Sequence, residues 1–384
     1  MKARQNSIEY KKRFEAKKTI VSGEILTTDI HDDDRFLSIR DIAAKHGFTR
    51  STVMRAISDL IEEGVLYSKG TSGIYLADRR KCTRYIDRHD VIISIIPEHG
   101  YLFSDILEKL EAHFSADKKR HTFFHLAADA ENRLWALHIK ACVTYNPAGI
   151  VIKSPYRIDE DTFMAGLKTL RDHLIPFVLL ESDFGAGKYP SVSFDSAAGA
   201  VAGVEYLVRR GHKRLCFIEG YGTNHLPLGR IRRAAFGDAV RKAGVLAVED
   251  VLGGFQMLPK DWNDRLKRLI RVEKVSAFFC YNDIVAKALI ALLEHAGFDV
   301  PHDVSVLGYD NVGYTRIPSH FTEFPVDMQR TKPHDLTAMS QPAEECAQAL
   351  TDIIYAQIDD ERIPDDTRIL IRPKVYEGDT VKKL

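Results

Sequence analysis

From Val91 onward, short apolar runs alternate with stretches of helical periodicity, and few architectures accommodate that pattern. VIISIIP (91–97) is a continuous β-branched run, as in a strand covered on both faces. GIVIK (149–153), PFVLL (176–180), SVSF (191–194), RLCFIEG (214–220), VSAFFCYN (275–282) and VSVLGYD (304–310) read the same way. Helical patterns fall between them, for example over Ser196–Arg210 and Asp283–Ala296. Alternating β and α implies parallel sheets with helices on both faces. Roughly 290 residues of this pattern suit two doubly wound lobes rather than one, with a ligand cleft between them near the carboxyl ends of the strands. The expected division places about 91–182 and 313–340 in one lobe, and about 190–310 and 345–384 in the other.

The first 78 residues follow a different rule. Residues 8–22 read as a helix with Tyr10, Phe14 and Val21 on one face, ended by Ser22-Gly23. Ser38-Ile39-Arg40-Asp41 has the form of a capping box, followed by apolar spacing through Ile39, Ile42, Ala43 and His46. Gly47 closes that helix, and Thr49 caps another whose buried stripe is Val53, Ile57, Leu60 and Ile61. Arg50, Ser51, Arg55, Ser58 and Glu62 are left outward. A short helix, a tight turn and a second helix with a polar amino end make a helix-turn-helix. VLYSKGTSGIYLA reads as two strands around Lys69-Gly70-Thr71-Ser72-Gly73, a wing. Helix amino ends favour phosphate, and Arg with short hydroxyls reaches phosphates and base edges.

Charge agrees with this division. Residues 1–90 carry 18 Lys and Arg against 14 Asp and Glu, whereas 91–384 carry 36 against 40. A basic excess on the short unit fits nucleic-acid contact, although a solvated basic face gives the same count. Apolar content of 45% is ordinary for a soluble globular chain. No apolar run reaches the ~18 residues of a membrane span, and the polar start MKARQNSIEYKKRFEAKK has no signal-peptide core. Cys82, Cys142, Cys216, Cys280 and Cys346 are scattered, odd in number and form no C-x-x-C pair, which supports neither a disulfide framework nor a zinc knuckle and suggests a reducing cytoplasm. Charged, aperiodic 79–90 is the expected linker between a head at 1–78 and a larger module at 91–384.

The stretch FLSIRDIAAKHGFTRSTVMRAISDLIEEGVLYSKGTSGIYLA resembles the DNA-binding domain of GntR-family bacterial regulators. Ser38, Arg40, Ala43, Thr49, Arg50, Thr52, Val53, Ala56, Leu60, Glu63, Gly64 and Thr71 fall in register with that family's pattern. Two positions depart: Leu37 replaces the usual Pro, and Met54 the usual Arg, with Arg55 one place on. Operator sequence therefore does not transfer from relatives. VSFDSAAGAVAGVEYLVRRGHKRLCFIEG (192–220), RRAAFGDAVRKAGV (232–245), VSAFFCYNDIVAKALIALLEHAGFDVPHDVSVLGYDNV (275–312) and LTAMSQPAEECAQAL (336–350) resemble the effector domain of LacI/GalR-family regulators. A GntR-type head on a LacI-type body is similar to the AraR-type arabinose-responsive repressors. The resemblance implies a small α+β winged helix-turn-helix followed by a two-lobed α/β domain of the type I periplasmic-binding-protein kind.

Residues and resemblance together nominate Ser38, Arg40, Thr49, Arg50, Ser51, Thr52, Arg55, Lys69, Gly70 and Thr71 for DNA. For the cleft, hydroxyl-rich ligands need planar donors and acceptors plus an aromatic wall. The resemblance points to Asn282 and Asp310 at strand ends, and to Arg232 as a bidentate donor. Glu181 follows a strand where related sugar binders carry an acid, and Tyr101 and Phe103 are either the stacking wall or core. Arg232 sits in Arg230-Ile231-Arg232-Arg233, so its register is open by a residue; Asp195 and Asp283 read as helix caps. Residues 313–335 depart from the family pattern as a Pro-punctuated insertion that would cover the cleft, add to a dimer contact, or form a surface loop.

Three fragments are set aside. Asp183-Phe184-Gly185 lacks the other kinase elements, Gly185-Ala186-Gly187-Lys188 lacks P-loop spacing, and His31-Asp32-Asp33-Asp34 reads as a solvated loop rather than a metal site. The expectation is a cytoplasmic, homodimeric transcriptional regulator, a repressor, with no cofactor and no metal. It would bind a pseudo-palindromic double-stranded operator and respond to a small molecule, a sugar first. The alternatives are a non-sugar effector such as a nucleobase or phosphorylated metabolite, a solute-binding protein, or an enzyme using the cleft, for which no nucleophile set is visible.

Overall fold

The computed structural model describes residues 14–25, 30–79, 81–82, 88–97, 101–116, 121–128, 133–155, 158–182, 184–185, 187–219, 227–248, 260–312, 333–359 and 361–384. Tyr10 and residues 313–332 of the insertion lie outside them.

The head begins with helix α1 over 14–25. Phe14, Val21 and Ile25 enter the head core, the last two fully buried. The helix therefore runs past the expected stop at Ser22-Gly23, because burying Ile25 outweighs the small preference of Gly against helix. Helix α2 (Ile39–His46) starts on Ser38, whose hydroxyl accepts from the Asp41 N–H at 3.2 Å and donates to the Asp41 carboxylate at 2.6 Å. Gly47 ends it at φ +66, a conformation costly for other residues. Helix α3 (Arg50–Glu62) starts on Thr49 and buries Val53, Ala56, Ile57 and Leu60 against α1 and α2. Strands β1 (Leu66–Ser68) and β2 (Ile74–Leu76) pair antiparallel as the wing.

The rest is two six-stranded sheets. The first lobe contains β3 (His89–Pro97), α4 (Tyr101–Ala116), β4 (Thr122–Ala128), α5 (Trp135–Tyr145), β5 (Pro147–Ile152), α6 (Glu160–Asp172), β6 (Phe177–Leu180) and β7 (Ser191–Phe194). The second contains α7 (Ser196–Arg209), β8 (Arg214–Ile218), α8 (Pro227–Lys242), β9 (Leu246–Val248), α9 (Trp262–Arg271), β10 (Ala277–Cys280), α10 (Asp283–His295), β11 (Ser305–Asp310) and β12 (Ala338–Ser340). The chain then returns to the first lobe with α11 (Ala343–Ile358) and β13 (Arg368–Ile371), and ends on β14 (Lys374–Tyr376) in the second. Strand orders are β4-β3-β5-β6-β7-β13 and β9-β8-β10-β11-β12-β14. All paired neighbours are parallel except β12 and β14.

This topology corrects the expected lobe division. Residues 191–194 belong to the first lobe, 338–340 to the second, and 343–371 to the first. The chain crosses three times, after Phe194, Ser340 and Ile371. Each sheet is sandwiched by two apolar clusters, one per face. At the opposite end of the first lobe, Leu174 takes φ +56 after α6 and packs on the head core, and its carbonyl accepts from Arg88.

Candidate DNA-reading head and interlobe site

In the head, Thr49 accepts from the Thr52 N–H at 3.3 Å, and its hydroxyl lies 3.0 Å from that of Ser51 and 2.8 Å from that of Thr52. The amino end of α3 thus carries clustered hydroxyls beside exposed Arg50, which makes no ion pair among the described residues. Arg40 is exposed on α2. Arg55 is exposed as expected, and its guanidinium lies 4.2 Å from the centre of the Phe14 ring of α1, a cation–π contact. In the wing, Gly70 takes φ +60, Thr71 is exposed, and the Lys69 ammonium lies 4.3 Å from the Tyr75 ring centre and 5.2 Å from that of Tyr67. The Tyr67 hydroxyl holds the Lys69 ammonium above its usual pKa, so the wing tip stays charged.

The acidic run before α2 shapes backbone. Asp32 accepts from the Arg79 N–H, Asp33 from the Tyr67 hydroxyl and Asp34 from the His31 N–H. Glu24 ties α1 to α2 through Lys45 at 2.8 Å and His46 at 2.7 Å. Burial works against that carboxylate, but Lys45 and His46 outweigh it and hold its pKa down.

Between the lobes, α8 turns Arg232 inward, at 2% exposure, and leaves Arg230 and Arg233 outward. This fixes the register that the Arg-rich string left open. Arg232 donates to the Tyr281 carbonyl at 2.7 Å and to Asp310 at 3.3 Å, and it lies 3.6 Å from the centre of the Tyr309 ring. Burial opposes the guanidinium charge, but Asp310, then Tyr309 and Tyr281, outweigh it and raise its pKa further. Asp310 takes φ +100 at the end of β11 and accepts from Gln341 at 2.6 Å. Asp283 is buried beside this group and accepts from the Val312 N–H at 2.9 Å. Burial, then the Asp310 charge, pushes its carboxyl well above the usual range. Glu181, at φ +45 after β6, accepts from the Phe194 N–H, and its charge reaches Arg232 and Tyr309 from the first lobe.

Several expectations change here. Asn282, not Asp283, caps α10, accepting from the Val285 N–H at 3.0 Å; a residue already inside the helix, Asp283 instead binds the turn after β11. Asp195 does cap α7, through the Ala198 N–H at 2.9 Å. Phe103 is buried in the first lobe's core at 6% exposure, so it presents no open wall. Tyr101 is the first residue of α4, but its side chain lies outside the described residues. Phe184 packs on Phe163, and Asp183 lies outside the described residues. Among the described residues no three His, Cys, Asp or Glu are grouped to hold a metal.

Sequence reasoning missed Gln341, Tyr309 and Ser196. All follow or end strands at the inter-lobe side, a positional signal that could have nominated them. Within this group Arg232 Nε and Gln341 Oε1 are buried with no hydrogen-bond partner among the described residues, while the buried Tyr309 and Ser196 hydroxyls interact with each other. Burial also pushes the Tyr309 phenol up to about 12, so it stays a donor. Gly199 of α7 permits this packing: a Cβ there would lie 2.0 Å from the Tyr309 hydroxyl oxygen.

Two sheets joined by three crossovers, with polar groups gathered at strand ends, form a two-lobed domain with a periplasmic-binding-protein-like fold behind a winged helix-turn-helix head. Residues 204–381 match the family described as periplasmic binding protein-like domain. The whole chain is related to the arabinose metabolism transcriptional repressor of Geobacillus stearothermophilus, at 22% identity over 97% of this chain and 98% of the relative. It also matches the HTH-type transcriptional repressor CytR of Escherichia coli (strain K12), at 22% identity over 89% and 96% of the two chains. In fold it resembles a LacI family transcriptional regulator from Enterococcus faecium with bound ribose, with a TM-score of 0.56 and 20% identity over 76% of this chain and 99% of that one.

Proposed function

We propose that this protein is a transcriptional repressor whose affinity for double-stranded operator DNA is set by a sugar bound between its lobes. The observation that carries the effector half is the polar group Arg232, Asp310 and Gln341 buried at the strand ends, in which Arg232 Nε and Gln341 Oε1 have no hydrogen-bond partner among the described residues. Buried polar groups are paired in folded proteins, and a ligand rich in hydroxyls supplies both donors and acceptors. The full-length relative named for arabinose metabolism and the ribose-bound neighbour support the same class. Among the described residues no helix is long and apolar enough to cross a membrane. A cytoplasmic location is part of the proposal.

The mechanism follows from the three crossovers. They follow the ends of β7, β12 and β13, where small rotations swing one lobe against the other. A sugar touching Glu181 of the first lobe and Asp310, Asn282 and Arg232 of the second stabilises one lobe arrangement. It acts on DNA only through its differential affinity for the two arrangements. The protein works as a homodimer, each copy presenting one α3 to one half-site of a pseudo-palindrome. Arg50, Ser51 and Thr52 meet base edges and phosphate, while Ser38, Arg40, Lys69, Gly70 and Thr71 meet the backbone.

Thermal unfolding of the full chain against a panel of monosaccharides, nucleobases and sugar phosphates tests the effector class. One sugar raises the midpoint in proportion to the logarithm of its concentration, and Asp310→Asn abolishes that rise. A rise with a nucleobase or phosphorylated compound alone would replace the sugar, and no rise with any compound would remove the effector site.

A further inference from the structure

We infer that Met54 reads the 5-methyl group of a thymine in each half-site, making it a specificity determinant of the head; this rests on the DNA-binding reading above. Met54 is the only large apolar side chain of α3 that is exposed, at 57%. Around it the outward face is polar: Arg50, Ser51, Arg55, Ser58 and Glu62. Among the described residues of the head nothing covers it, because α1 packs on the other flank of α3, where Arg55 lies over Phe14. Arg50 stands one turn before Met54 on the same flank, so the two side chains act as neighbours.

A helix lying in the major groove faces donors, acceptors and one kind of apolar group, the thymine methyl. Arg50 suits phosphate or the acceptors of guanine. A thioether has no useful hydrogen bond to offer a base edge, but it is unbranched and polarisable and folds onto a methyl. The exposed apolar surface of Met54 is thereby removed from water only when DNA is bound. Arg55, held over α1, is not positioned to take this role.

The test uses the full chain and duplexes selected by it from a random pool. Each thymine of the selected half-site is replaced singly by uracil, which removes only the methyl group. At one position per half-site, uracil weakens wild-type binding about fourfold, the size expected for one methyl group taken out of contact. Met54→Ala binds the thymine duplex about as weakly and no longer distinguishes the two bases, whereas Met54→Leu still does. Indifference of the wild type to uracil at every position, or equal losses in Met54→Ala, would overturn the assignment while leaving the regulator. Failure to select any sequence would overturn the DNA-binding reading and the assignment with it.

Discussion

Arg232 and Asp310 form a buried pair, 3.3 Å apart at 2% and 7% exposure, on which the polar centre between the lobes is built. Arg232→Ala leaves the buried Asp310 carboxylate without the Arg232 charge. A loss of about 3–5 kcal/mol is expected, measured by denaturant unfolding. Arg232→Lys should recover only part of it, since an ammonium cannot serve the Tyr281 carbonyl, Asp310 and the Tyr309 face with one planar group.

Asp283 has the opposite character. Its folded-state carboxyl keeps its proton well above the unfolded value, so the folded protein binds more protons and its stability falls as pH rises through that range. Asp283→Asn keeps an oxygen for the Val312 N–H and removes the charge. It should be more stable than wild type at pH 7, and the difference should vanish below about pH 4, where the unfolded carboxyl is protonated as well.

His212 is fully buried, with Nε2 3.2 Å from the Lys382 carbonyl and Nδ1 3.1 Å from the Ser276 hydroxyl. Burial pulls its pKa down to about 4. The unfolded chain takes up this proton near pH 6.5 and the folded chain does not, so stability falls as pH drops from about 6.5 to 4. This group contributes a slope of up to ~1.4 kcal/mol per pH unit, which His212→Gln should remove from the stability profile.

Leu174 joins lobe and head through an apolar contact made from a left-handed backbone. Leu174→Asn keeps a residue tolerant of that backbone and deletes the contact. Amide exchange should quicken in α1 and α3 while the sheets of both lobes stay protected. Unchanged exchange in the head would show that the contact holds nothing.

The sequence was most legible where one local rule acted alone. Thr49, Ser38 and Asp195 cap helices as their positions suggest, and VIISIIP and VSVLGYD are buried central strands. Legibility failed where tertiary contact overrode a local preference. Gly23 does not stop α1 because Ile25 two residues on is needed in the head core. The half-exposed edge strand β4 lacks a continuous apolar run, and the three-residue β9, β12 and β14 are too short to signal themselves.

The candidate site was legible in part for a similar reason. Arg232, Asp310 and Glu181 do come near one another, because strand ends are readable, whereas Asn282 serves as the cap of α10. Which side of α8 faces inward was not, since four consecutive residues there offer three arginines and only packing selects one. The exchange of roles between Asn282 and Asp283 likewise depends on the turn after β11, far away in sequence. The lobe borders were misplaced because α11 and β13 return to the first sheet after a long excursion, and periodicity says nothing about which sheet a strand joins.

The most direct test of the central claim is fluorescence anisotropy of the full chain on DNA from upstream of its own gene, at two salt concentrations and with a monosaccharide panel. The expected result is selective binding that weakens with salt and is abolished by one sugar in wild type but not in Asp310→Asn. Selective binding that responds identically to that sugar in both proteins would place the switch elsewhere and contradict an effector site between the lobes.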